Sequence, residues 1–280
     1  MMRHYALGTG ELACRGMPTA RLNGIDIYFE RSGAGLPLLF INGSGATLAG
    51  SGPMVGLYAA HFDVVAHDQR GLGRTTIPEG PYTMADYAAD AAALAECVGW
   101  ERYRVVGTSF GGMVAQELAV TFPERIERLA LVCTSSGGAG GASYPLHTLA
   151  DKTEAERAEL GMVLLDTRFT PEWLAEHDDD RAIAAMVADR GNVEKSAEVL
   201  RGERLQLEAR SHLDVYGRLP NITCPTFVAS GRYDGIAPAS NGRAIAEQIP
   251  NAELRVYEGG HAFFIQDRQA LPDIVSFLKG

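Results

Sequence analysis

Gly107-Thr108-Ser109-Phe110-Gly111 is a GxSxG run standing between two kinds of pattern. Before it, Tyr103-Arg104-Val105-Val106 reads as a short buried strand. After it, Met113 to Val120 has the composition and spacing of a helix, stopped before Pro123. A serine at such a strand-to-helix turn sits on a sharp, exposed corner. The flanking glycines allow the chain to double back where no Cβ fits. The following helix directs its N-terminal amides and positive dipole end at whatever forms beside the serine oxygen. This geometry suits acyl transfer and makes Ser109 a candidate nucleophile.

A Gly-rich turn of a dinucleotide-binding unit is the bland alternative. The glycines of Val106 to Gly112 are not in GxGxxG register, and no β-α-β unit opens the chain. Partners decide the matter. Thr226 to Ser230 reads as another buried strand, and Gly231-Arg232-Tyr233-Asp234-Gly235 turns away from its end. Glu253 to Tyr257 is a further strand running into Glu258-Gly259-Gly260-His261. The order is therefore Ser, Asp, His. A neutral hydroxyl is a poor nucleophile, so an imidazole must take its proton and later return it to the leaving group. A carboxylate must hold that imidazole in the correct tautomer.

With those residues in place the chain resembles an α/β-hydrolase over nearly its whole length. Asn42-Gly43-Ser44-Gly45 stands where that family has its oxyanion loop, and Asp68-Gln69-Arg70-Gly71-Leu72-Gly73-Arg74 where it has an Asp-x-Arg-Gly-x-Gly turn. Ser109 matches the elbow nucleophile, Asp234 the acid and His261 the base. Many members open the oxyanion loop with His-Gly, whereas position 42 here is asparagine. That loop, with Pro78-Glu79-Gly80-Pro81-Tyr82-Thr83, is similar to the 3-oxoadipate enol-lactonase group. In acyl transfer two N–H groups must already point at the carbonyl oxygen as it becomes an anion. Phe110 N–H and Ser44 N–H are the candidates, with Gly43 the fallback.

The resemblance implies an α/β fold with a mostly parallel central sheet flanked by helices. The first part of the chain carries strands at Ile25–Glu30, after a turn at Asn23-Gly24, at Pro37–Ile41 and at Phe62–Ala66. Thr83 to Asp86 reads as a capping box opening a helix, and a strand runs from Ile126 to Cys133. Ser135 to Ser143 reads as a flexible Gly/Ser hinge. Beyond it the patterns are helical and charged until about Tyr216. Residues 137–217 are thus expected to form a helical cap over a core built from 1–136 and 218–280.

The 280 residues suffice for one such domain plus an insertion. A net charge of −10 opposes nucleic acid or an anionic membrane as partner. No stretch has the length of a membrane span, and Arg3, His4, Glu11 and Arg15 interrupt any leader-like segment, so a cytoplasmic location is expected. Cys14, Cys97, Cys133 and Cys224 show no metal spacing, and Cys97 and Cys133 read as small core residues. The Asn221-Ile222-Thr223 sequon is read as accidental.

Asp178-Asp179-Asp180 reads as a helix start on a solvated surface, because three consecutive residues diverge around a helix and make a poor metal site. Asp68 and Arg70 read as a loop-securing ion pair, and His67 as packed or exposed. His61, His147, His177 and His212 lack the strand-end context of His261, although His147 and His212 fall in the cap, where either can face substrate. Trp173, Phe169 and Tyr144 line a pocket or make the cap's own small core. Phe263, just after the catalytic loop, is a better pocket residue.

The reading that follows is hydrolysis of a small carboxylic ester or lactone through an acyl-serine, with no metal and no cofactor. Serine rather than aspartate at position 109 argues against dehalogenase or epoxide hydrolase chemistry. Carbon–carbon bond hydrolysis of meta-cleavage products, and perhydrolase or cofactor-free haloperoxidase activity, stay open, as does a small-molecule receptor on the same fold. A homodimer also stays open.

Overall fold

The computed structural model describes residues 18–191 and 195–280, with side chains 188–194 left out. Cys14 and the other residues before position 18 that bear on a leader lie outside the described residues. An eight-stranded sheet runs in the order β1-β2-β4-β3-β5-β6-β7-β8. Its strands are β1 (Thr19–Leu22), β2 (Ile25–Gly33), β3 (Pro37–Ile41), β4 (Asp63–His67), β5 (Tyr103–Thr108), β6 (Ile126–Val132), β7 (Thr226–Gly231) and β8 (Ala252–Tyr257). The β1–β2 and β2–β4 pairs are antiparallel, and every other pair is parallel. The hairpin turns at Asn23 and Gly24, whose φ of 49° and 80° supply the left-handed pair that a two-residue turn needs.

Why the central strands are apolar throughout is visible in their alternation. Leu39, Ile41, Val65, Val105, Leu129, Leu131 and Val228 face one layer, formed by α2 (Met84–Cys97), α3 (Phe110–Thr121) and α8 (Ala239–Gln248). Leu38, Phe40, Val64, Ala66, Val106, Ala130 and Phe227 face the other, formed by α1 (Leu48–Ala59) and α10 (Ala270–Lys279). Thr83 opens α2 through the expected capping box with Asp86. No helix among the described residues is long and apolar enough to cross a membrane.

Register brings the functional loops to one rim. Ile41 lies beside Gly107, Thr108 beside Val132, Val132 beside Ala229, and Gly231 beside Tyr257. The segments leaving β3, β5, β6, β7 and β8 therefore emerge together at the carboxyl ends of the parallel strands, where this class of sheet places ligands.

Between β6 and β7 stand α4 (Glu154–Leu165), α5 (Pro171–Glu176), α6 (Asp178–Gly191) and α7 (Ala197–Ser211), with 3₁₀ turns among them. Their own small core joins Leu165, Phe169, Ile183 and Ala184 to Ala262 of the main body. The Gly/Ser segment at its entry is not a loose hinge. Ser135 and Ser136 are fully buried, Gln116 donates to Ser135 O, and Asn241 donates to both Ser135 Oγ and Ala142 O. Gly137, Gly138 and Gly141 have φ of 69°, 52° and 92°. Glycine is used there for left-handed backbone in a packed segment, not for freedom.

Candidate active site

Ser109 is held at φ 56° and ψ −116°, a conformation that costs a non-glycine residue about 1–3 kcal/mol. The surroundings impose it. Ser109 N donates to Val132 O at 2.8 Å, and Ser109 O accepts from Thr134 Oγ1 at 2.8 Å, Gly112 N at 2.9 Å and Met113 N at 3.2 Å. A Cβ on Gly107 would collide with Gly111 O, and one on Gly111 with Ile41 O, both fixed backbone atoms. Only glycine lets the strand, the turn and α3 cross this closely.

The three residues named from the sequence converge. Ser109 Oγ lies 3.0 Å from His261 Nε2, and His261 Nδ1 lies 2.8 Å from Asp234 Oδ2 and 3.0 Å from Oδ1. Asp234 Oδ1 also accepts from the Ile236 and Ala237 N–H groups, each at 2.8 Å. Ser109 and Asp234 are buried. The imidazole of His261 is held well above the usual histidine value. Burial, the largest influence, pushes it down, but the Asp234 carboxylate and the Cys133 side chain push it up and outweigh burial. Cys133 is a core residue as expected, but it also stands beside the imidazole, at φ 44° in the turn after β6.

The Asn42–Gly45 loop lies against Ser109, since a Cβ on Gly43 would sit 3.5 Å from Ser109 Cβ. It is fixed from both ends. Gln69 Nε2 donates to Asn42 O at 2.9 Å, and Gly45 N–H donates to Gln206 Oε1 of α7 at 2.8 Å. Asn42 Nδ2 turns away to Ser51 Oγ, so the residue that departs from the His-Gly pattern serves α1 rather than the site. Phe110 is fully buried at the start of α3.

The Asp68–Arg74 turn is structural, but its ion pairing differs from the expectation. Asp68 accepts from Leu48 N and Arg74 N, whereas Arg70 reaches Asp90 of α2 through two bonds of 2.9 and 3.0 Å. His67 is packed, and burial lowers its pKa to about 4.

Trp173 and Phe263 are not where a pocket lining was expected. The Trp173 ring stacks on His177 with centroids 3.7 Å apart, and its Nε1 donates to Asp180 at 2.8 Å. It belongs to the small core of the cap, beside the buried Phe169. Phe263 is fully buried and stacked on Tyr257, because the short helix α9 (Phe263–Gln266) turns its ring into the main core. Tyr144 and His147 instead line a cavity of about 110 Å³ with Met113 and Arg210. His212 lines another of about 460 Å³ with Tyr82 and Glu117. Asp180, read as solvated, accepts from both Trp173 and Gln266.

Several contacts had no signal in the sequence. His261 N donates to Leu165 O at 2.6 Å, Gly235 N to Leu164 O at 3.2 Å, and Thr167 N to Tyr233 O at 2.9 Å. Gln266 accepts from Gly260 N and donates to Asp166 Oδ2 and Asp180 Oδ1. The end of α4 is thereby bonded to the loops that carry Asp234 and His261, so this edge of the insertion cannot lift without moving both.

The family's model, described as the alpha/beta hydrolase fold, matches residues 37–268, and the chain belongs to this family of hydrolases. It is similar to the poly(3-hydroxyalkanoate) depolymerase of Ectopseudomonas oleovorans, at 29% identity over 87% of this chain and 84% of that one. It is also similar to 3-oxoadipate enol-lactonase 2 of Acinetobacter baylyi, at 26% identity over 83% and 84% of the two chains. Among solved structures, the enol-lactonase from Burkholderia xenovorans LB400 matches with a TM-score of 0.78 and 26% identity, covering 94% of this chain and 100% of that one. The resemblance drawn from Asn42–Gly45 and Pro78–Thr83 is borne out at the level of the family.

Proposed function

We propose that this protein is a serine hydrolase that cleaves a small carboxylic ester or lactone through an acyl-serine intermediate. The observation that carries the reading is the hydrogen-bonded line from Ser109 Oγ through His261 to Asp234. The polyester and enol-lactone named for its relatives support the same bond type. Ser109 Oγ attacks the carbonyl carbon while its proton passes to His261 Nε2. The carbonyl oxygen, now an anion, is held by the Ser44 and Phe110 N–H groups. His261 returns the proton to the departing oxygen, and the acyl group stays on Ser109. Water then gives a proton to His261 and attacks the acyl carbon, and His261 returns that proton to Ser109 Oγ as the Oγ–acyl bond breaks and the acid leaves.

The intermediate is the test. Enzyme mixed with a p-nitrophenyl ester and quenched in acid is expected to carry one acyl group, on the peptide containing Ser109. An acyl group found elsewhere, or turnover with none formed under burst conditions, overturns the proposal.

The pH profile supplies a second expectation. A general base works only when neutral, and the His261 pKa is raised above 6.5. For a neutral ester, kcat/KM is expected to climb with pH through a value above 6.5. Stability runs the other way. The increment contributed by this histidine is complete below its unfolded-state pKa and is lost as pH rises through the folded one. An acid limb at or below 6.5 would contradict the electrostatics of the site.

A further inference from the structure

Arg210, near the end of α7, is a buried guanidinium that bonds no carboxylate among the described residues. Its two terminal nitrogens donate to Tyr144 O at 3.0 Å and to Ser143 Oγ at 2.8 Å, and its Nε has no partner there. Arg70, Arg104 and Arg168 are also sheltered, and each of them bonds a carboxylate. Neutral acceptors satisfy hydrogens but leave the charge of Arg210 uncompensated, and an uncompensated buried charge is costly. Burial accordingly pushes the Arg210 pKa down to about 10, against the attraction of Asp234. Asp234 itself is engaged by His261 and by the Ile236 and Ala237 N–H groups.

This charge borders a space that solvent enters. Arg210 keeps 6% of its surface and lines the cavity of about 110 Å³ together with Ser143, Tyr144, His147, Leu207 and Met113. His147 is exposed, so the cavity communicates with bulk water, and its volume has room for several waters. No acidic side chain among the described residues lines it. Its walls are fixed, since Tyr144 N donates to Ile236 O at 2.7 Å and Asn241 Nδ2 to Ala142 O at 3.0 Å. The Ser143 hydroxyl, accepting from Arg210, keeps its own hydrogen to donate. A planar guanidinium fork matches a carboxylate, and Met113 and Leu207 offer apolar surface to a short carbon chain.

We propose that Arg210 makes this cavity a binding site for the carboxylate of a small organic acid. The anion supplies the countercharge that the fold withholds from the guanidinium, and it displaces water from the cavity as it enters. The site goes beyond the proposed hydrolysis, and its occupation does not depend on it. Two sources share this chemistry: a free acid, and an ester that carries a carboxylate at its far end.

Propionate is the probe, titrated by ligand-observed NMR into the wild type and into Ser109→Ala, so that binding is read without turnover. A Kd of about 1–10 mM is expected in both, within reach of so small a ligand. Propionamide, similar in shape but uncharged, should bind at least about 10-fold more weakly. Arg210→Met removes the charge and should weaken propionate by at least about 10-fold. Leu207→Glu, one turn earlier on α7, tethers a carboxylate to the cavity wall and should exclude propionate, whereas Leu207→Gln should leave it bound. No binding of propionate to the wild type, propionamide bound as well as propionate, or an affinity unmoved in Arg210→Met overturns the site. Should Arg210→Met fail to fold, the Leu207 pair decides, and a loss in both variants or in neither overturns it. Kinetics then assign the source. A carboxylate carried by the ester makes propionate compete with p-nitrophenyl butyrate, and p-nitrophenyl hydrogen glutarate outpaces butyrate by about 10-fold in a manner lost in Arg210→Met. A free acid binds without competing, and the glutarate gains nothing; either result upholds the site. An enzyme acylated at Ser109 that binds no propionate sinks the site alone. Propionate bound by an enzyme that never acylates sinks the hydrolase reading alone.

Discussion

Ser109→Ala is expected to lower kcat for ester hydrolysis by roughly 10⁴–10⁶-fold, the range seen when a nucleophile is removed from such a triad. Folding should survive. The hydroxyl contributes one hydrogen bond to the fold, the 3.0 Å contact with His261, and alanine tolerates the φ of 56° about as poorly as serine does. The backbone bonds that impose the turn, from Ser109 N and to Ser109 O, do not depend on the side chain. Thermal unfolding midpoints of wild type and variant should therefore lie close together while the rates diverge. Ser109→Gly gives a useful contrast, since glycine relieves the strain at this φ. It should be equally inactive and somewhat more stable. A Ser109→Ala enzyme retaining more than about one part in 10³ of the wild-type rate would have its nucleophile elsewhere.

How far the site was legible in the sequence follows from which interactions leave local traces. The turn at Ser109 is encoded within six consecutive residues, because the close crossing needs glycine at 107, 111 and 112. Asp234 and His261 were found because each stands just past an apolar strand, and parallel register carries all such ends to one rim. The cap left no comparable trace. Its bonds to the catalytic loops join residues 100 apart, as between Gln266 and Asp166, or 161 apart, as between Gln206 and Gly45. Neither helical periodicity nor turn chemistry signals such pairs. Trp173 and Phe263 were misplaced for a related reason. A large aromatic beside a site is equally at home in a small core, and α5 and α9 turn these two rings inward. Glycine content misled at Ser135 to Ser143, where left-handed φ rather than mobility explains the residues.

Asp234→Asn is expected to cost about 10⁴-fold in kcat while leaving substrate binding in place. The two carboxylate oxygens have unequal surroundings, and this decides the outcome. Oδ1 accepts from the Ile236 and Ala237 N–H groups, so in asparagine the oxygen must stay on that side. The NH₂ then takes the place of Oδ2, facing His261 Nδ1 at about the 2.8 Å now separating them. A donor there requires Nδ1 to be an acceptor, which puts the proton of the neutral imidazole on Nε2. Nε2–H cannot take the proton of Ser109, and the base is lost although the three side chains barely move. The same exchange removes the Asp234 carboxylate that helps hold the His261 pKa up, leaving only the Cys133 side chain to oppose the lowering by burial. The residual activity should accordingly show its acid limb at lower pH than the wild type. That shift separates loss of tautomer control from simple misfolding, which would lower the rate at every pH alike. A variant that kept its rate, or kept the wild-type acid limb, would require the orienting charge to come from a residue other than Asp234.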